Sequence, residues 1–141
     1  MLLGQHVGKV GAKGRIAFPT KFRKILGDRL IITLGYENSL IVVSEDGWKA
    51  LLEGTEGKPF TVGPARETQR FILGGASSIT LDTKGRFILP LYLRDYAKIA
   101  TEVVFLGLSR YVEMWDRNRW YQYRKHLEKN IGTIAERLSG S

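Results

Sequence analysis

The chain has no cysteine, which excludes disulfides, thiolate metal sites and thiol nucleophiles. Histidine is nearly as scarce. His6 and His126 stand in unrelated settings, with no carboxylate cluster at ligand spacing beside them, so no donor set for zinc or iron is present. No uninterrupted apolar run approaches membrane-spanning length. The opening stretch from Met1 to His6 lacks the charged n-region and long apolar core of a signal peptide, so a cytosolic setting is expected. P-loop, dinucleotide and nucleophile-elbow patterns are missing too. Gly11-Ala12-Lys13-Gly14-Arg15 is glycine-rich and basic, but it lacks the Ser or Thr that would hold magnesium. No catalytic residue, metal or cofactor is expected, and the chain does not read as an enzyme.

Acid is also in short supply: 22 Lys and Arg against 14 Asp and Glu leave a formal charge of +8 on 141 residues. Divided at residue 70, each half holds 11 basic and 7 acidic residues, so the excess is no detachable tail. Such a balance suits a polyanion partner, nucleic acid ahead of acidic membrane, with plain solubility as the other reading. The proportions of hydrophobic residues (43%) and charged residues (26%) are those of a folded globular chain, long enough for one domain or two small interlocked ones.

What the chain does contain is a repeat. The stretch from Val10 to Pro19 returns as Leu81 to Pro90. Arg15 and Arg86 stand 71 positions apart, and the same offset pairs Lys13 with Lys84, Gly14 with Gly85, Pro19 with Pro90, Arg23 with Arg94 and Gly4 with Gly75. In each copy a glycine between basic residues can take the positive φ of a tight reversal. The short apolar run that follows reads as a strand, ended by a proline that cannot donate to a central ladder. Each copy therefore displays Lys and Arg side by side at a hairpin tip, with an ordinary solvated turn as the alternative.

Around the repeat the pattern is α+β and mainly β. Leu2 to Val10 is expected as a strand, and Thr20 to Leu26 as a short amphipathic helix with Lys21 and Arg23 outward, stopped by Gly27. Leu30 to Leu34 and Leu40 to Val43 read as strands, and Ser44 caps a helix reaching about Leu52. Glu53 to Pro64 reads as a loop and Ala65 to Leu73 as a connecting helix. The second half replays this order, with Val103 to Leu106 matched to Ile31 to Leu34 at an offset of 72. That offset carries Ser44 onto Asp116, cap onto cap, and Trp48 onto Trp120, a pair expected in the core. Beyond it, Tyr121 to Leu138 reads as a basic helix whose stripe of Leu127, Ile131, Ile134 and Leu138 suits the protein body or a neighbouring subunit. The division is residues 1–52 for the first half, 53–73 for linker and connecting helix, 74–120 for the second half and 121–141 for the tail.

Leu3-Gly4, Lys13-Gly14-Arg15, Pro19, Phe22-Arg23, the run from Leu81 to Arg86, Pro90, Leu93-Arg94 and Glu113-Met114-Trp115-Asp116 ahead of Trp120 carry a resemblance. Over nearly all of residues 1–125 the chain resembles the MraZ family of bacterial transcriptional regulators, built from two tandem halves of the AbrB/SpoVT type. The resemblance implies a pseudo-twofold swapped-hairpin β-barrel made by both halves, with short peripheral helices and a C-terminal helix. It also implies a homo-oligomeric closed ring in the cytoplasm, at the nucleoid, away from membranes. Such a ring would bind double-stranded DNA at direct repeats in the promoter of the division and cell-wall gene cluster, and repress it by occlusion.

In the family each half carries an Asp-x-x-x-Arg signature linked to DNA binding. Asp82 and Arg86 match it, whereas Gly11 stands in the aspartate's place ahead of Arg15. Asp82 and Arg86 are equally spaced for an ion pair that shapes their own turn. Arg15 lacks such an acid, so its guanidinium is freer to meet phosphate or the O6/N7 edge of guanine. The expected DNA contacts are Lys9, Lys13, Arg15, Lys21 and Arg23 in the first half, foremost the first four, and Lys84, Arg86 and Arg94 in the second. The AbrB/SpoVT fold also serves as the antitoxin half of toxin–antitoxin pairs. A protein-interaction module gripping through Tyr121 to Leu138 is therefore the alternative, and RNA binding near Phe87, Tyr92 and Tyr96 a third.

Overall fold

The two copies of the repeat fold alike. In the computed structural model, which describes residues 1–56 and 61–140, the first copy runs β1 (Leu2–Lys9), β2 (Arg15–Ala17), α1 (Thr20–Leu26), β3 (Arg29–Leu34), β4 (Leu40–Ser44) and α2 (Glu45–Glu56). A connecting helix α3 (Gly63–Ile72) leads to β5 (Ser77–Thr80), β6 (Arg86–Ile88), α4 (Leu91–Ala97), β7 (Glu102–Ser109), β8 (Val112–Asp116) and α5 (Arg117–Ser139). The punctuation is chemical. Pro19 and Pro90, with φ of −56° and −54°, sit at the N-caps of α1 and α4, where their missing N–H costs nothing. Ser44 Oγ accepts the Gly47 N–H at 3.1 Å, and Asp116 Oδ2 accepts the Arg119 N–H at 3.2 Å, so the two caps correspond as expected.

The halves trade strands. β1 pairs with β7 of the other half, and β5 pairs with β3. With the β3–β4 and β7–β8 hairpins and the β4–β8 ladder they form one antiparallel sheet in the order β1-β7-β8-β4-β3-β5. β2 and β6 make a separate two-stranded ribbon. In the ribbon Ile16 lies opposite Phe87, its own counterpart at an offset of 71; in the β4–β8 ladder Ile41 lies opposite Glu113, at 72. Both ladders therefore straddle a local twofold relation. Among the described residues these ladders make two sheets, and none closes them into a barrel. The expectation of an α+β chain, mainly antiparallel strands with a C-terminal helix, stands.

Between ribbon and sheet lies the core. Ile16, Phe18 and Phe22 are buried in it with their repeat counterparts Phe87, Leu89 and Leu93, and Phe18 meets Phe105 edge-on at 5.4 Å. Each such side chain contributes roughly 1.5–3 kcal/mol by leaving water. A second, smaller cluster of Val104, Leu106 and Trp115 takes up Trp120 and Tyr123 of α5.

Three expectations need correction. Leu30, not Ile31, corresponds to Val103: Leu30 faces Ser44 and Ile79, while Val103 faces Asp116 and Gly8. The offset is thus 73 in these strands, since Ile99 and Ala100 are two extra residues between α4 and β7. A one-residue slip would turn the strand inside out, and the core takes Leu30 and Ile32 with Val103 and Phe105.

The tryptophan pair is not in the core. Trp48 and Trp120 are half-buried, and Trp120 packs on Trp115 at 5.4 Å while its indole N–H donates to Gln5 Oε1 at 3.3 Å. An indole with a polar edge is well served where one side stays wet.

Finally, α2 runs through the 52/53 boundary and α5 through the 120/121 boundary, so neither is a structural break. The expected loop from Glu53 to Pro64 is helical at both ends, and its residues 57–60 lie outside the described residues. Among the described residues no helix is long and apolar enough to cross a membrane.

Candidate nucleic-acid interface

The ribbon gives both arginines one shared surface. Ile16 and Phe87 face inward, at 1% and 5% exposure, so alternation turns Arg15, Ala17, Arg86 and Ile88 outward. The register sets Arg15 opposite Ile88 and Ala17 opposite Arg86, which makes the arginines diagonal neighbours, about 7–8 Å apart in such a ladder. They border one shallow depression together with Ser78, Ile79, Thr80 and Asp82. Lys13 and Lys84 project at the two turns, both exposed.

The turns share a backbone and differ in restraint. In the first, Gly11 N–H donates to Arg15 O at 2.7 Å and Gly14 N–H to Gly11 O at 3.2 Å; in the second, Asp82 N–H donates to Arg86 O and Gly85 N–H to Asp82 O, both at 2.9 Å. Gly14 and Gly85 both have φ of 76°, the left-handed conformation that glycine takes without strain. The first turn forces a second residue there as well, Lys13 at φ 61°.

The second turn instead uses its acid. Asp82 Oδ1 accepts the Lys84 and Arg86 N–H groups, both at 2.9 Å, and Oδ2 holds Arg86 Nε at 3.3 Å. These contacts, the Arg86 backbone N–H first, hold the Asp82 carboxyl below its ordinary pKa against partial desolvation. Gly11 offers no equivalent, so Arg15 is exposed without a restraining acid in its turn.

Arg23 and Arg94 lie differently from the other expected contacts. Arg23 grips Asp28 through Nε–Oδ1 at 2.7 Å and reaches the Asp82 carbonyl at 3.3 Å. Arg94 donates to the carbonyls of Ile99 at 2.9 Å and Ala100 at 2.7 Å. Both are half-buried and committed to the protein. Lys9, at the end of β1 opposite Glu102, and Lys21, in the first turn of α1, are exposed and flank the first turn in sequence.

Sequence reasoning passed over Arg29, exposed and paired with Thr80, which borders the depression, and Asp28, the acid that occupies Arg23. The run Arg23 to Asp28, closing α1 across Gly27, was the available signal for that pair.

The aromatic trio considered for stacking RNA bases is otherwise employed. Phe87 is core, while the Tyr92 and Tyr96 hydroxyls donate to Gly75 O at 2.8 Å and Gly35 O at 2.7 Å. His6 packs on Phe22 and His126 on Tyr123, and no group of three His, Asp or Glu among the described residues is arranged to hold a metal.

α5 stands apart from this surface. It buries no residue fully, and of its expected stripe Leu127 and Ile134 are half-covered while Ile131 and Leu138 are 56% and 80% exposed.

Comparison with known proteins places this architecture. The family described as "MraZ protein, putative antitoxin-like" matches twice, over residues 1–71 and 72–140, which is the repeat itself. Proteins named transcriptional regulator MraZ from Caldanaerobacter subterraneus subsp. tengcongensis, Thermoanaerobacter pseudethanolicus and Natranaerobius thermophilus are each 40% identical over 138 residues, covering 98% of this chain and 96% of theirs. Among solved structures, the solution structure of PHS018 from Pyrococcus horikoshii is similar over 81% of this chain and 88% of that one, at 16% identity and a TM-score of 0.33, too slight a likeness to carry an argument. The chain, with both of its halves matched and full-length relatives at this identity, belongs to the MraZ family.

Proposed function

We propose that the protein is a DNA-binding transcriptional regulator that works by binding alone, without catalysis or a cofactor. The observation that carries this is the shared outward face of the β2–β6 ribbon, where Arg15 and Arg86 are diagonal neighbours, with Lys13 and Lys84 exposed at the turns that enter its two strands, on a chain of charge +8. The name transcriptional regulator borne by its relatives supports the same reading. Arg15, unrestrained, reads a base edge or a phosphate. Arg86, already ordered by Asp82, presents its remaining donors to the backbone. Lys9, Lys13, Lys21 and Lys84 add phosphate contacts, which strengthen binding to every sequence alike.

A ribbon this small reaches few bases, so one subunit discriminates poorly. The function therefore calls for several copies acting together: a closed ring of subunits on tandem direct repeats, each added contact raising the effective concentration for the next. The exchange of strands between halves supports treating sheet and ribbon as one interlocked unit of the swapped-hairpin kind, which can serve as a rigid ring subunit. The target is the promoter of the division and cell-wall cluster, the outcome repression by occlusion, and the setting the cytoplasm at the nucleoid. A footprint on DNA upstream of the gene, with a mass measurement of the free protein, tests this. Evenly spaced protected segments are expected, with affinity that drops as repeats are deleted and as salt is added. Equal affinity for one repeat and for several contradicts it.

A second reading has one observation in its favour, the exposed apolar residues Ile131 and Leu138 on α5. An antitoxin-like module would use that helix to grip a protein partner, with DNA binding secondary. Truncation near Arg124 separates the two. Loss of a co-purifying partner with DNA binding intact supports the interaction module, and loss of DNA binding supports the ring.

A further inference from the structure

Arg23 and Arg94 each belong to one half and lie against the turn of the other. The Gly85 carbonyl accepts the Phe18 N–H at 2.9 Å and the Gly14 carbonyl accepts the Leu89 N–H at 3.2 Å, so each basic turn is already bonded across to the opposite half. The arginines sit at these crossings. A Cβ built on Gly85 would stand 2.9 Å from Arg23 Nη1, and one on Gly14 3.7 Å from Arg94 Nη1. Arg23 also donates to the Asp82 carbonyl at 3.3 Å while Asp28 fixes its Nε at 2.7 Å. Arg94 has no acid at the equivalent place. Its anchors are the carbonyls of Ile99 and Ala100, the two residues inserted in the second half.

We infer that Arg23 and Arg94 are positioning residues, each bracing the basic turn of the opposite half, and that neither contacts DNA. The purpose of the brace rests on the DNA-binding reading above, whereas its geometry does not. A planar guanidinium suits the task because its donors diverge in fixed directions, so one group can hold an anchor and a turn together. An ammonium carries the same charge but cannot span both. Asp28 also neutralises Arg23, so that pair brings no net charge toward a phosphate. Neither half presents a finished turn without the other.

Amide hydrogen exchange on the full-length protein tests the brace without DNA. Arg23→Lys is expected to speed exchange at Lys84, Gly85 and Arg86 by roughly three- to tenfold, the worth of one hydrogen bond, while Lys13 to Arg15 keep their rates. Arg94→Lys should do the reverse to a smaller degree, because Arg94 lies against the first turn without a hydrogen bond to it. Unchanged rates in the opposite turn, or uniform acceleration throughout the chain, overturn the inference.

Asp28→Asn supplies a second arm, read as affinity for a duplex from upstream of the gene over an unrelated duplex of equal length. Loosening the anchor of a brace lowers this preference, by roughly three- to tenfold. Freeing a phosphate-binding arginine from its acid would instead tighten both duplexes, and that result overturns the inference. If the unaltered protein shows no preference for the upstream duplex, the DNA-binding reading fails on its own, and the exchange rates still decide the brace.

Discussion

The turn at Gly11–Arg15 and the turn at Asp82–Arg86 close with the same pair of backbone hydrogen bonds, yet only the second contains an acid that holds its own arginine. Duplication preserved the backbone, and a single exchange at the aspartate position separated two ways of offering a guanidinium. Arg86 is ordered beforehand, and releasing it from an ion pair in which both side chains are more than a third exposed costs little, because solvent screens the pair. Arg15 keeps its rotamer freedom and forfeits up to about 2 kcal/mol of it when it binds. The free arginine gains most where a good bidentate partner awaits, and the ordered one gains at any phosphate. On the proposed DNA-binding reading, the comparison divides the labour: Arg15 would discriminate between sequences and Arg86 would anchor.

The largest effect expected is that of Arg15→Ala. Losing one bidentate base contact costs roughly 1–3 kcal/mol of discrimination, read in a mobility-shift assay as the ratio between upstream and unrelated duplexes. Arg86→Ala should weaken both duplexes by a similar factor and leave that ratio nearly intact. A folded Arg86→Ala protein that loses the ratio reverses the assignment.

Next comes stability. Gly85→Ala forces a side chain into φ 76° and toward Arg23, and should cost about 1–2 kcal/mol in thermal unfolding.

Gly11→Asp sharpens the comparison by building the second turn's chemistry into the first. The backbone at Gly11, φ −82° and ψ −169°, is extended and suits any residue, and a Cβ there would stand 3.3 Å from Arg15 O, a tight contact that needs a shift of a few tenths of an ångström. Arg15 should then be held as Arg86 is, and the preference for the upstream duplex should drop several-fold, by about the worth of one ion pair. Unchanged preference would mean that restraint is not what distinguishes the turns.

The smallest effect is in pH. The Asp82 pKa is depressed in the folded protein, so its contribution to stability is complete above the ordinary carboxylate pKa near about 4 and is lost as pH falls through the lower folded value. Exchange at Lys84 and Arg86 should accelerate in that acid range relative to Lys13 and Arg15, once intrinsic rates are divided out. Asp82→Asn should abolish the difference.

Much of this was readable from residue order. The repeat offset located both turns, the prolines located both short helices, and the caps at Ser44 and Asp116 matched in space as in sequence. What resisted reading was register. Ile31 and Leu30 are equally apolar, so the sequence offered no reason to choose between offsets of 72 and 73; strand pairing decided, through two inserted residues. The tryptophans misled for a related cause, since size argues for burial while an indole N–H argues for an edge. At the candidate site, Arg15 and Arg86 were legible as paired cations, but their meeting on one face depends on β2 of one half lying against β6 of the other. The engagement of Arg23 and Arg94 depends on long-range neighbours in the same way.

Amide shifts of the full-length protein, followed by NMR as duplex is added, test the shared face most directly. The first and largest changes are expected from Lys13 to Ala17 and from Lys84 to Ile88 together, with α5 following only if subunits rearrange. Changes centred on α5 or on the outer face of the large sheet, with both turns silent, would contradict the account.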